Sequence, residues 1–188
     1  MLDIYRMFVR PEGAPGEFGA DLMERNGRPM ADQAVVRLEL KPTDSVIEVG
    51  FGPGLGLEAL SLAVPQGCVI GVDPSPLMHR RASARNATAI REGRMTLVEG
   101  TVDALPFETA CFDAALAVDN LHFWPDPFAG LMELRRVLRR NSPVLCAFTP
   151  PAGGKKAGLN ELFIRAGFTD VVLVDSPAGI TIRGHAPS

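Results

Sequence analysis

Residues Val46 to Gly56 of this 188-residue chain read V-I-E-V-G-F-G-P-G-L-G, and this segment limits the fold more than any other. A β-branched run that ends in glycines at positions 50, 52, 54 and 56 is a strand, then a tight loop, then the start of a helix. Glycines spaced in this way also let the backbone approach a ligand closely. In an open α/β sheet, ligands lie at the carboxyl ends of strands, where the strand order reverses. The segment therefore predicts both an architecture and the place of its site.

The rest of the chain supports that architecture. In the first forty residues, Pro11, Gly13, Pro15, Gly16 and Gly19 are expected to break any long element, which leaves short helices at about 20–25 and 30–40. From position 41 onward, strands at 45–50, 68–73, 95–99, 112–118 and 143–149 alternate with helices at 55–64, 76–91, from 126 and at 158–166. Ser75 before Pro76 is a helix start, and Gly93 and Gly167 are helix stops. Strands at 171–175 and 180–183 are too close for a crossover helix, so they form an antiparallel hairpin at one edge. The apolar runs lack period-two alternation, so both sheet faces are covered. The fold class is α/β: a Rossmann-like, doubly wound, mostly parallel seven-stranded sheet with that C-terminal hairpin. The chain reads as a single domain, with an N-terminal helical lid segment over 1–40 and a ligand-binding core over 41–188.

Composition narrows the partners. The net charge of −3 argues against nucleic acid, which needs a basic footprint. Arg80, Arg81 and Arg85, and Arg135, Arg136, Arg139 and Arg140, read as solvated outer faces of helices. Cys68, Cys111 and Cys146 lack metal-ligand or disulfide spacing and read as buried free thiols; no metal is expected. The first six residues lack the apolar core of a signal peptide, and no apolar run has membrane-spanning length. A cytoplasmic location is the default expectation.

The loop also discriminates between ligands. A nicotinamide-binding loop wants G-x-G-x-x-G, but position 55 is Leu, not Gly. Glu48, still inside the strand, would repel a pyrophosphate and suits a ligand carrying positive charge, such as an ammonium beside a sulfonium. The segment E-x-G-x-G-x-G resembles the first motif of class I S-adenosylmethionine-dependent methyltransferases of the type 11-like kind. The resemblance extends from about Lys41 to Arg183.

That resemblance implies S-adenosylmethionine as cofactor, with S-adenosylhomocysteine as product. Glu48, Gly50, Gly52 and Gly54 would wall its methionine part, and Asp73 would hold the ribose hydroxyls. Pro74 and Met78 would pack against adenine, although Met78 also fits plain core. The stretch from Val98 to Phe107 resembles the family's G-D-A-x-x-L-P-F, with Thr101 where the family has its acid. There the Thr101 hydroxyl or the Val102 N–H would contact adenine without a charge-assisted bond, and Asp103 stands two positions on. Backbone near Val118 and Asp119 would face the methionine end, and His122 is the candidate base for an acceptor that must lose a proton. His79 is placed on a helix face remote from the loop, and His185 near the C-terminus.

A small-molecule acceptor, methylated on oxygen, nitrogen or carbon, fits best. A catalytically silent cofactor-binding or partner protein and a nicotinamide oxidoreductase are the competing readings. The lid is thin, with Tyr5, Phe8, Phe18 and Met23 available to line it and a Gly/Pro-rich loop over 150–157 beside it. It leaves three options: an open pocket, a bulky or amphipathic acceptor, or closure by a second subunit in a homodimer.

Overall fold

The computed structural model describes residues 4–152 and 156–188. Its centre is a seven-stranded sheet in the order β3-β2-β1-β4-β5-β7-β6. The strands are β1 (Ser45–Val49), β2 (Cys68–Asp73), β3 (Met95–Glu99), β4 (Ala114–Val118), β5 (Pro143–Phe148), β6 (Thr169–Ser176) and β7 (Gly179–His185). Strands β1 to β5 run parallel, while β7 is antiparallel to both β5 and β6. The expected hairpin thus forms at the sheet edge. The strand order reverses between β1 and β4, so the crevice at their carboxyl ends is the switch point.

Helices cover both faces, as the unbroken apolar runs require. On one side lie α2 (Arg28–Leu38), α3 (Leu55–Ala63), α4 (Pro76–Arg85) and α5 (Ala87–Arg91), which pack Met30, Ala34, Leu57, Leu60 and Met78 against the sheet. On the other lie α6 (Pro127–Val137) and α7 (Leu159–Arg165), which contribute Leu131, Leu134, Val137 and Phe163. The leucines at 57, 60, 131 and 134 are fully enclosed, and burial of each contributes about 2 kcal/mol.

Several expectations need correction. The N-terminal breakers do not break: α1 runs from Gly13 to Asn26, after a π-helical turn over Tyr5–Val9. Pro15 stands in the first turn, where no helical donor is required. Gly19 is there for close packing, because a Cβ on it would stand 2.9 Å from the Met7 carbonyl carbon. Helix α2 packs on α3, β4 and β5 with five buried residues. The helix expected over 76–91 breaks at buried Asn86, whose amide donates to Gly54 O and Ala82 O. The fourth strand starts at Ala114, and Phe112 contributes only a bridge to Leu138. The last two strands are longer than expected at both ends.

Arg80, Arg139 and Arg140 are exposed as expected, but Arg81 and Arg85 are staples rather than a solvated face. Arg81 reaches Glu17, Asp21 and Glu24 on α1 at 2.5, 2.8 and 3.1 Å, and Arg85 reaches Glu24 at 3.1 Å. Surface pairs contribute under about 1 kcal/mol each, so the enclosed Ala20 and the Gly19 contact carry much of α1's attachment. Cys146 is buried as expected, but Cys68 and Cys111 are partly exposed. Tyr5 and Phe18 are exposed, Phe8 is half-buried, and Met23 packs into the core beside the glycine loop. Gly153, Gly154 and Lys155 of the Gly/Pro-rich loop, and Met1 to Asp3, lie outside the described residues. Among the described residues, no helix is long and apolar enough to cross a membrane, and no cluster of His, Cys, Asp or Glu could hold a metal.

Candidate active site

The carboxyl ends of β1, β2 and β4 bring most of the candidate residues together. Gly50, Gly52 and Gly54 all take positive φ, which turns the chain sharply out of β1 and into α3. Gly50 has φ of 66°, and its N–H donates to Val72 O at 2.7 Å. A side chain at Gly50 would put its Cβ 2.8 Å from Asn120 Cγ.

Asp73 ends β2 facing this loop. Its Oδ2 accepts the Gly52 N–H at 3.0 Å, and its Oδ1 accepts the Ser75 N–H at 2.8 Å. Each oxygen keeps a lone pair for a further donor. Burial pushes the carboxyl up to about 6, against the opposing pull of those two N–H groups and of His79. His79 is not remote from the loop. Its Nε2–H donates to Asp73 O at 2.9 Å, and its ring meets the Phe51 ring edge-on at 5.0 Å. Ser75 caps α4 and also donates to Pro11 O at 2.7 Å, which ties the N-terminal segment to the site.

Glu48 stands behind the wall rather than in it. Its side chain is enclosed beneath the first turn of α3, with Oε2 buried and unpartnered among the described residues. Burial, with Asp73 nearby, holds its carboxyl well above the usual range. Met78 is wholly enclosed in the core and belongs to packing, because helix α4 turns that face onto the sheet. Pro74 stays partly exposed. After β3, Thr101 is exposed, whereas the Val102 side chain is buried, so Val102 offers only its backbone.

The turn after β4 completes the site. Asp119 takes φ of 56° and turns its carboxylate onto Thr149, accepting from the N–H at 2.6 Å and from the hydroxyl at 2.8 Å. Burial still raises its carboxyl, so it acts as a strut between β4 and β5. Asn120 is the residue that sequence reasoning missed. Its amide spans the switch-point crevice and donates to Val49 O, Gly50 O and Val118 O at 2.7, 3.1 and 3.1 Å. Its Oδ1 is buried and unpartnered among the described residues. His122 is exposed, makes no hydrogen bond among the described residues and lies against Phe123, the rings tilted by 49° with centroids 3.9 Å apart. Desolvation lowers its basicity, with Asp119 partly opposing.

Chemically, the crevice offers acceptor lone pairs on Asp73, a buried orphaned oxygen on Asn120 and an open glycine backbone between them, with the Glu48 carboxyl sealed behind.

A family model described as a methyltransferase domain matches residues 46–141. An uncharacterized methyltransferase of Bacillus subtilis (strain 168) is 23% identical over 158 residues, covering 80% of this chain and 85% of that protein. A 2-methyl-6-phytyl-1,4-hydroquinone methyltransferase of Oryza sativa subsp. japonica is 34% identical over 105 residues, covering 56% of this chain and 29% of that protein. A solved structure of a SAM dependent methyltransferase from Aquifex aeolicus has a TM-score of 0.79 at 17% identity, over 93% of this chain and 100% of that one. At that identity the likeness shows the fold alone. The chain therefore spans most of the Bacillus protein but less than a third of the rice one.

Proposed function

The chain belongs to the methyltransferase domain family, is an S-adenosylmethionine-dependent methyltransferase by that membership, and from this premise we propose that it methylates a small molecule held at the carboxyl ends of β4 and β5. The observation that carries the placement is the crevice between Gly50 and Asp119, where glycine loop, Asp73 and His122 converge on one end of the sheet.

The cofactor, when bound, supplies a methyl group on a sulfonium, whose departure leaves a neutral thioether. The residues divide the remaining work. Asp73 accepts hydrogen bonds from the ribose hydroxyls. Thr101 and the Val102 N–H face adenine, with Pro74 beside them. Asn120 fixes the carbonyls of Val49, Gly50 and Val118, so the methionine end meets a rigid wall. Burial favours the neutral form of Glu48, so from beneath the loop it offers a polar group rather than a charge. Transfer between aligned partners needs chiefly orientation. Where the acceptor must lose a proton, an imidazole nitrogen of His122 takes it; lowered basicity keeps that ring neutral at pH 7. The neighbouring Phe123 ring, partly exposed beside His122, suits an acceptor with an apolar body. The hydroquinone named in the rice relative is a small molecule, which supports this class.

Calorimetric titration with S-adenosylmethionine, S-adenosylhomocysteine and NADH tests the reading. Micromolar binding of both adenosyl ligands and none of NADH is expected; NADH binding, or no binding at all, would sink it. For His122, replacement by alanine is expected to lower kcat about 100-fold and to remove the acid limb of the pH–rate profile. The KM for the cofactor should stay put. An unchanged profile would make His122 a mere packing residue.

A further inference from the structure

Parallel strands in an open sheet are ordinarily joined through a helix, yet the chain from Gly100 to Asp113, between β3 and β4, contains none. A helix-free connection of this length is uncommon and is usually functional. This one carries Thr101 and Val102, and it is held at defined points rather than left loose.

Two residues on α6 hold its far side. The guanidinium of Arg136 donates through Nη1 to Phe107 O at 2.8 Å and through Nη2 to Leu105 O at 3.0 Å. Glu133, one turn earlier on the same helix, accepts the Leu105 N–H at 3.0 Å through Oε1. The two side chains also grip each other, Nε to Oε2 at 2.8 Å and Nη2 to Oε1 at 2.7 Å. Both backbone groups of Leu105 are thus occupied by this clip, and the leucine side chain is buried below it. Arg136 holds the Glu133 carboxyl below the usual range, so the clip stays charged at working pH.

The near side is fixed independently. Gly100 N donates to Asp73 O at 3.4 Å, which ties the start of the loop to the end of β2. The Val102 side chain is buried beside Gly130 and Trp124; a Cβ on Gly130 would stand 2.9 Å from Val102 Cγ1 and 2.6 Å from Trp124 Cε3. Between these anchors lies the Thr101–Ala104 turn, closed by Ala104 N to Thr101 O at 3.4 Å, with Thr101 facing outward. Losing the clip would free the downstream anchor while leaving the Gly100 and Val102 attachments in place.

We propose that Glu133 and Arg136 are positioning residues that fix the Thr101–Leu105 turn and thereby set this protein's preference for adenine over other purine bases. The proposal rests on the reading that Thr101 and Val102 face adenine. Because Thr101 replaces an acid there, recognition of the base depends on neutral groups whose placement has to be accurate, and the clip completes that placement from the Leu105 end of the turn.

The test compares S-adenosylhomocysteine with S-inosylhomocysteine, which differ at the purine amino group. Kd for each is measured by calorimetry on the wild type, Arg136→Lys and Glu133→Gln, with Tm recorded for every protein. Lysine keeps the charge but not the fork, and glutamine keeps an acceptor for the Leu105 N–H but not the charge. Wild type is expected to prefer the adenosyl ligand. In Arg136→Lys that ligand should weaken about tenfold and the inosyl ligand hardly at all, so the ratio collapses toward one. Glu133→Gln should shift the ratio in the same direction by less. Equal weakening of both ligands, or an unchanged ratio in both folded variants, would overturn the proposal. A wild type that binds the adenosyl ligand without distinguishing the two purines would instead overturn the adenine assignment beneath it.

Discussion

Replacing Asp73 with alanine is expected to raise the Kd for S-adenosylmethionine by roughly two to four orders of magnitude. A charged acceptor holding two ribose hydroxyls contributes about 1.5–3 kcal/mol per bond, and each 1.4 kcal/mol is about tenfold in affinity. The same carboxylate also anchors the Gly52 and Ser75 N–H groups at 3.0 and 2.8 Å. Alanine therefore removes the ribose contact and loosens the loop that lines the rest of the site. Calorimetry on the variant, with a thermal melt to show that it is folded, checks this. A Kd within threefold of wild type would remove Asp73 from the ribose site.

The titration of this residue gives a second arm. Burial places the free carboxyl at about 6, and hydroxyl donors favour its ionised form, so binding lowers that value. A group whose bound pKa lies below its free pKa contributes affinity that is complete above the free value and is lost as pH falls through it. Cofactor affinity should thus be flat above pH 7 and decline below about pH 6. Asp73→Asn should bind weakly throughout and lose this slope, keeping only what Glu48 contributes. A slope that persists unchanged in Asp73→Asn would assign it to another group.

What could be read from the sequence and what could not follow from the range of the interactions involved. Strands β1 and β2 and the loop between them were legible because β-branched runs and glycines act within a few residues. The antiparallel pair β6 and β7 was legible because a short connection excludes a crossover. Helix α1 was not, since Pro15 and Gly19 read as breakers: one is harmless in a first turn, and the other makes room for Met7, a contact with no local signature. Asn86 gave no sign of breaking a helix, because the carbonyl it serves belongs to Gly54, far away in sequence. In the same way, Asn120 has meaning only once β4 lies beside β1 and its amide can reach Gly50 O. His79 was misplaced for want of its partner ring, Phe51. Glu48 and Asp73 were picked out by residue type, but the difference between them, one sealed under α3 and one facing the loop, is tertiary.

That sealed carboxyl makes Gly56 a sensitive position for stability. Gly56 lies in the first turn of α3, directly over Glu48. A Cβ there would stand 2.6 Å from Glu48 Cδ and 2.7 Å from its Oε2, and closer still to Oε1. All three are atoms of one enclosed group, which is 2% exposed and has no open side to retreat into. Backbone strain is not the issue, since Gly56 is absent from the positions with positive φ. In an exposed helix, alanine would stabilise by up to about 1 kcal/mol, so steric overlap has to exceed that gain. Overpacking of this kind costs about 1–3 kcal/mol, and more when a buried polar group is forced out of place. Gly56→Ala is therefore expected to lower Tm by roughly 5–10 °C, at about 2–4 °C per kcal/mol for a chain of this size. The partner substitution separates the cause. Glu48→Ala removes the obstructing carboxyl, so Gly56→Ala made in that background should cost little, and the double-mutant cycle should show strong coupling. Additive losses would mean that the methyl group meets something other than Glu48. A Tm for Gly56→Ala at or above the wild-type value would mean that the carboxyl can move aside, and Glu48 would then be a mobile group at the mouth of the site rather than a fixed one beneath it.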